Sequence, residues 1–265
     1  MEAPITGTAA GVPFTALAPE GGGPAPLIVT WHMLDAPRSD AAFAAALPMH
    51  GLPAWRVHLG MPLCGARMVD GTMDAGLALI REDVLMSFLY AFARQAAEEF
   101  PDALASIRAQ LPVGDGPIGL LGGSLGGAVA LRILADTDTP VFAAAVVNAA
   151  IRMRSVVDLF PGEYPYDAVS EAAVDSLDFV AKADVIAGRA PLLVVSGELD
   201  HPGLRADALA LADAAGAELL SIPGLAHPLA DEPGIEPAPQ SPHAREVDGG
   251  LAEWFRRHLA SAQAE

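Results

Sequence analysis

The sequence predicts an α/β fold: a mostly parallel, doubly wound sheet with helices on both faces. Three observations carry that prediction. Short apolar runs alternate with longer helical patterns along most of the chain, which calls for crossover connections rather than hairpins. One run, Leu192-Leu193-Val194-Val195, is apolar without interruption, as in a strand covered on both sides. The stretch Gly122-Gly123-Ser124-Leu125-Gly126-Gly127 stands between an apolar run and an alanine-rich helical run, the pattern of a strand, a sharp turn and a helix.

In chain order the apolar runs place strands at Val12–Leu17, Leu27–Trp31, Ala54–Leu59, Ile118–Leu121, Val141–Val147, Leu192–Ser196 and Glu218–Ile222. Helical spacing covers Ser39–Leu47, Leu77–Phe100 with a continuation beyond Pro101, Leu125–Ala135, Leu204–Ala215 and Leu251–Ala260. Ser39 with Asp40 reads as a helix N-cap and Gly216 as a helix stop. Gly21-Gly22-Gly23-Pro24 reads as an exposed turn. Two segments break the rhythm. Residues 151–189 hold the aromatic cluster Phe160-Pro161-Gly162-Glu163-Tyr164-Pro165-Tyr166 and then a polar helical stretch; they are expected to form a small cap-like insertion. Pro223–Val247 is rich in proline and reads as a long loop; loops of that length in a compact domain usually serve function or stay disordered. The expectation is one domain over residues 1–265.

The 265 residues are 52% hydrophobic, ample for a large core, and carry a net charge of −18. That charge repels nucleic acid and anionic membrane surfaces. The single cysteine, Cys64, excludes a disulfide framework within the chain and reads as a buried small residue. No His-x-x-x-His helix, cysteine pair or calcium-loop array of carboxylates is present, so neither a metal nor another cofactor is expected. Met1-Glu2-Ala3-Pro4 opens without the basic and apolar regions of a leader peptide, and no run approaches the ~18 apolar residues that span a bilayer. A soluble, cytoplasmic protein without membrane insertion is the expectation; the oligomeric state is open.

A serine hydroxyl needs a base within hydrogen-bond reach, and the base needs an orienting carboxylate. In an open parallel sheet, groups just beyond the carboxyl ends of strands converge on one crevice. Asp200 follows the run Leu192–Ser196, with Glu198 two residues nearer the strand. His227 follows Glu218–Ile222, with His243 as its rival further along the same loop. The order Ser124, Asp200, His227 is the serine–acid–histidine order of one established arrangement. A Walker phosphate loop is excluded, since no lysine follows the glycines, and a dinucleotide fingerprint belongs in the first strand–helix turn.

On Gly122-Gly123-Ser124-Leu125-Gly126-Gly127, Gly197-Glu198-Leu199-Asp200 and Pro223-Gly224-Leu225-Ala226-His227, the chain resembles the α/β-hydrolase superfamily from Leu27 to Leu259. It looks closest to the dienelactone-hydrolase-like and prolyl-oligopeptidase-like serine esterase branch. The resemblance implies Ser124 as nucleophile, His227 as base and Asp200 as orienting acid in a catalytic triad on a nucleophile elbow. It implies an oxyanion hole made by the Leu125 N–H and a second N–H from Leu34, or else Met33, in His32-Met33-Leu34-Asp35; here Met33 stands where relatives often have glycine, and His32 would pack beneath the loop. The apolar side chains proposed around the pocket are Met33, Leu34, Met153, Phe160 and Tyr164. Arg152 and Arg154 either bind a substrate carboxylate or make surface ion pairs, and Phe160, Tyr164 and Tyr166 either form a lid or the core of the insertion. His201, beside the acid, is a candidate rim residue. The expected activity is hydrolysis of a small or medium, mainly apolar carboxylic ester. Thioesterase, lactonase, acyltransferase and peptidase chemistry on the same residues remain open, as does a non-catalytic ligand-binding role.

Overall fold

In the computed structural model, which describes residues 3–262, strand β1 (Ile5–Ala9) and β2 (Val12–Leu17) form an antiparallel edge. Beyond it lie β3 (Leu27–Trp31), β4 (Trp55–Leu59), β5 (Ile118–Gly123), β6 (Val141–Val147), β7 (Leu192–Gly197) and β8 (Glu218–Ile222). The order across the sheet is β1-β2-β4-β3-β5-β6-β7-β8. β2 joins β4 antiparallel, and every pairing from β4 to β8 is parallel.

Alternation along each strand sorts side chains to two cores. In β3, Leu27, Val29 and Trp31 point to one face and Ile28 to the other. The first core packs against α3 (Tyr90–Gln110), α4 (Leu125–Asp136) and α8 (Pro202–Ala215); Trp31 meets Phe100 of α3 edge-on at 5.2 Å between ring centres. The second packs against α1 (Asp40–Ala46) and α9 (Pro242–Ala262), with Phe43, Leu251 and Phe255 fully buried. Each such side chain contributes about 1.5–3 kcal/mol on leaving water.

Several elements depart from the sequence expectation. β1 pairs with β2 through a turn at Ala10-Gly11, both at positive φ. The helical run expected over 77–100 is interrupted: α2 (Asp74–Asp83) ends where Asp83 turns extended, and a π-helical segment, Val84–Leu89, leads into α3. The cause is local, since the Asp83 carboxylate accepts the Leu85 and Met86 N–H groups and so begins a new helix. α9 begins at Pro242 rather than near Leu251, so the proline-rich loop is shorter than expected. Its start is Ser241, whose Oγ accepts the Ala244 N–H, followed by proline at the first helical position. Residues 151–189 form α5 (Met153–Val157), α6 (Ala168–Ser176) and α7 (Ala183–Arg189). Ser39 caps α1 through Ala42 N–H, and Gly216 closes α8 in the left-handed conformation.

The parallel strands all end on one edge of the sheet. The segments following β3, β5, β6, β7 and β8 therefore meet there.

Candidate active site

Ser124 follows β5 and precedes the first residue of α4 with φ 49° and ψ −122°. A non-glycine residue in this region is strained by about 1–3 kcal/mol, and the surroundings hold it. Its N–H donates to the Val147 carbonyl, and its own carbonyl accepts the Gly127 and Ala150 N–H groups. A methyl at position 122 would overlap the Gly126 carbonyl, and one at 126 the Trp31 and His32 carbonyls. Strand, turn and helix thus close to backbone contact, which only glycine permits. The Leu125 N–H, first in α4, has no acceptor within the helix, and the helix dipole adds partial positive charge there.

Asp200 lies just past β7 and is 5% exposed. His227 lies in the loop after β8. Its Nδ1 is 2.8 Å from Asp200 Oδ1 and its Nε2 is 3.0 Å from Ser124 Oγ. A carboxylate only accepts, so Nδ1 carries the hydrogen and Nε2 is free to accept the serine O–H. Asp200 also accepts the His201 N–H. The two loops are laced together: the Glu198 and Leu199 N–H groups donate to the Ile222 and Leu225 carbonyls. Asn148, just beyond β6, fastens the same loop. It is 2% exposed and has φ 45°, a left-handed conformation that asparagine tolerates. Its amide nitrogen donates to the Ala226 and His227 carbonyls, and its amide oxygen accepts the Gly197 N–H.

Burial pulls the His227 pKa down, but the hydrogen bond and charge of Asp200, helped by the charge of Asp35, outweigh it and raise the pKa above its ordinary value. Asp35 Oδ2 lies 3.4 Å from His227 Nε2. His32 is fully buried; its Nε2 accepts the Met61 N–H and its Nδ1–H donates to the Met33 carbonyl. Burial holds its pKa at about 4, so the ring is a neutral peg under the loop after β3.

No protein-family model matches the chain, and no curated protein matches it. Solved structures do. The esterase domain of a Rhodothermus marinus protein aligns over 98% of this chain and all of its own, with 18% identity and a TM-score of 0.63. Est1E from Butyrivibrio proteoclasticus, solved with ferulic acid bound, aligns over 97% of this chain and 99% of its own, with 15% identity and a TM-score of 0.62. The acylaminoacyl peptidase of Pyrococcus horikoshii aligns over 97% of this chain and 41% of its own longer chain, with 17% identity and a TM-score of 0.62. The chain has the α/β-hydrolase fold.

Over Ser124 this α/β-hydrolase fold encloses a cavity of about 400 Å3. Its wall comes from the loop after β3 (Leu34, Asp35, Arg38), from the region of α2 and the π-helical segment (Met73, Leu77, Ile80, Phe88, Leu89), from α3 (Phe92) and from the segment after β6 (Val156, Leu159, Phe160). Leu34 and Phe160 line this cavity, and so does Cys64, buried, with its thiol pushed up to about 11 by burial.

Other expected pocket residues lie elsewhere. Met153 is fully buried in the α3/α4 core, and Met33 is fully buried in the opposite core, against the backbone of Gly123. The Tyr164 hydroxyl donates to Asp83 in a separate cleft of about 390 Å3. Arg152 is held by Asp207 at 2.8 Å and Asp178 at 3.5 Å, and Arg154 by Glu171 and Asp175 while stacking on Tyr166. These two arginines thus make ion pairs rather than facing Ser124. Glu198 faces Ser221, and His243 packs near Gly224. His201 is exposed, lines the cavity, and lies 5.5 Å from the His227 ring between centres. Its ring, Asp200 and His227 place ligand atoms within 4.8 Å of one another, the one such group of three among the described residues; Asp200 and His227 use theirs on each other. Among the described residues no helix is long and apolar enough to cross a membrane.

Sequence reasoning missed Asn148 and Asp35. The signal for Asn148 was present, an asparagine directly beyond a buried strand. The signal for Asp35 was its position just past the apolar run Leu27–Trp31, but nothing in the sequence set its side chain toward His227.

Proposed function

We propose that this chain is a serine hydrolase that cleaves carboxylic esters through an acyl-enzyme, a carboxylesterase in reaction type. The observation that carries the reading is the hydrogen-bonded chain Ser124–His227–Asp200, at 3.0 and 2.8 Å, at the floor of a mainly apolar cavity. His227 Nε2 takes the serine proton as Oγ bonds to the ester carbonyl carbon, and the carbonyl π electrons move onto its oxygen. The Leu125 N–H, with that of Leu34 or Met33, stabilises the oxyanion; one such donor is worth about 2.7–4 kcal/mol. As the carbonyl re-forms, the C–O bond to the alcohol breaks, and the alcohol leaves with the proton from Nε2. Water then adds to the acyl-enzyme, giving its proton to His227. The carboxylic acid departs, and the proton returns to Ser124. Asp200 holds the Nδ1–H tautomer and offsets the imidazolium charge throughout.

The cavity suits a small or medium acyl group. The segments that cover it, after β4 and after β6, act as its cap. Esterase activity in structural neighbours supports the reading. The test is a fluorophosphonate probe. Wild-type protein labels stoichiometrically, Ser124→Ala not at all, and His227→Ala far more slowly. Folded wild-type protein that fails to label overturns the proposal. A panel of chromogenic esters of graded chain length, beside a thioester, a lactone and a peptide, then fixes the bond cleaved.

A further inference from the structure

The wall above Ser124 holds a carboxylate that the proposed reaction does not need. Asp35 has 52% of its side chain open, and its Oδ2 is 3.4 Å from His227 Nε2. Among the described residues His227 is its only ion-pair partner. The other charged residue of the same wall is engaged already: the Arg38 guanidinium pairs with Glu232 and donates to Met73 Sδ at 3.1 Å. The cavity that Asp35 shares is otherwise mainly apolar, with Leu34, Leu63, Leu77, Leu159 and Phe160 among its lining.

Its position has a direction. Nε2 is the atom that hands the proton to the leaving alcohol, so the leaving oxygen must come within about 3 Å of it. Asp35 stands beside that same nitrogen, and so flanks the alcohol portion of a bound ester. With His227 neutral, Nε2 presents a lone pair to the serine O–H and offers Asp35 no hydrogen. The Asp35 oxygens then face the cavity as acceptors awaiting a donor. A donor carried by the substrate would pair with them in a setting drier than bulk water, where such contacts gain strength.

We propose that Asp35 selects esters whose alcohol portion carries a hydrogen-bond donor, an ammonium or hydroxyl group, within two carbons of the leaving oxygen, and that it rejects anionic alcohols. This rests on the Ser124–His227 reading. The preference is set on the alcohol side and leaves the acyl side, with its apolar wall, to be chosen by size.

The test uses butanoate esters that share one acyl group and differ in the alcohol: 2-(dimethylamino)ethyl against its neutral isostere 3-methylbutyl, 2-hydroxyethyl against propyl, and 2-sulfoethyl as the anion. At neutral pH wild-type kcat/KM is expected to favour the ammonium ester over its isostere about fivefold, the scale of a half-exposed charge contact. The hydroxyl arm should show a smaller preference of the same sign, and the sulfoethyl ester should be the poorest substrate. In Asp35→Asn the ammonium-to-isostere ratio falls toward one, and in Asp35→Lys the order of cation and anion reverses. Fluorophosphonate labelling of both variants reports that the site is intact. Equal wild-type rates on the ammonium ester and its isostere, in protein that labels and turns over, overturn this inference alone. Absence of both labelling and turnover overturns the hydrolase reading beneath it.

Discussion

Two carboxylates act on the His227 ring from different sides. Asp200 holds Nδ1 from the protein interior, and Asp35 approaches Nε2 from the cavity. Both favour the imidazolium, so the proton leaves Nε2 only at a pH above the ordinary 6.5. In the proposed mechanism the base form acts, hence kcat/KM should rise with pH along an acid limb centred above that value. Removing one negative charge destabilises the imidazolium, so Asp35→Asn should move the limb to lower pH. A pH–rate profile for both proteins checks this, and an unmoved limb would remove Asp35 from the electrostatics of the ring. That Ser124, Asp200 and His227 come together could be read from the sequence because each stands just past an apolar strand run, and parallel strands deliver such positions to one edge. Asp35 occupies the same kind of position after β3. One aspartate among loop residues does not declare which way its side chain turns, and that direction depends on how His32 pegs the loop, a contact made with Met61 across the fold.

The loop that carries His227 is held by backbone contacts to its neighbours, by the buried His227–Asp200 hydrogen bond and by the buried side chain of Asn148. Asn148→Ala removes three hydrogen bonds and leaves the Gly197 N–H buried without its acceptor. A loss of about 2–4 kcal/mol in urea-measured stability is expected. The kinetic signature should be a fall in kcat much larger than any rise in KM, with slower fluorophosphonate labelling, because the variant misplaces the imidazole without altering the cavity wall. A change in stability with labelling rate intact would make Asn148 a purely structural residue. At this scale strand positions read well, since uninterrupted apolar runs have few alternatives. Helix boundaries read less well. The break at Asp83 depends on one side chain capping the following turn, and the start of α9 at Ser241-Pro242 was masked by the prolines before it. β1 has a mostly exposed surface and so no apolar run to mark it. The cavity wall likewise draws on residues before α3 as much as on the 151–189 segment, because helical spacing says which face of α2 is apolar but not what that face covers.

For the molecule as a whole, two buried histidines set a response to acid. Burial holds His32 at about 4 and His58 at about 3, where the charge of Arg56 adds to the effect. In the unfolded chain both take up a proton near 6.5; in the folded protein they do not. Below that pH the unfolded state therefore binds more protons, and stability falls by about 1.4 kcal/mol per pH unit for each histidine until its folded pKa is reached. His227, shifted upward, has the opposite sign: its stabilisation is full below 6.5 and is lost as pH rises through the folded value. Urea unfolding at a series of pH values should show the acid loss, and His58→Gln should lessen the slope between pH 6.5 and 4 by about one proton's worth; an unchanged slope would clear His58. The sequence indicated a parallel sheet but not its order, since adjacency of β3 to both β4 and β5 is decided by packing across the whole sheet.

The left-handed backbone of Ser124 extends to the population of molecules that carry it. Glycine accepts that conformation without strain, whereas alanine does not. Ser124→Gly and Ser124→Ala should both be inert, with the glycine protein melting higher by ~2–4 °C, the size of a net gain of ~1 kcal/mol in a domain near this length. Selection for heat resistance alone would then favour lineages that discard the serine, and its retention would mark continuing selection for the proposed chemistry.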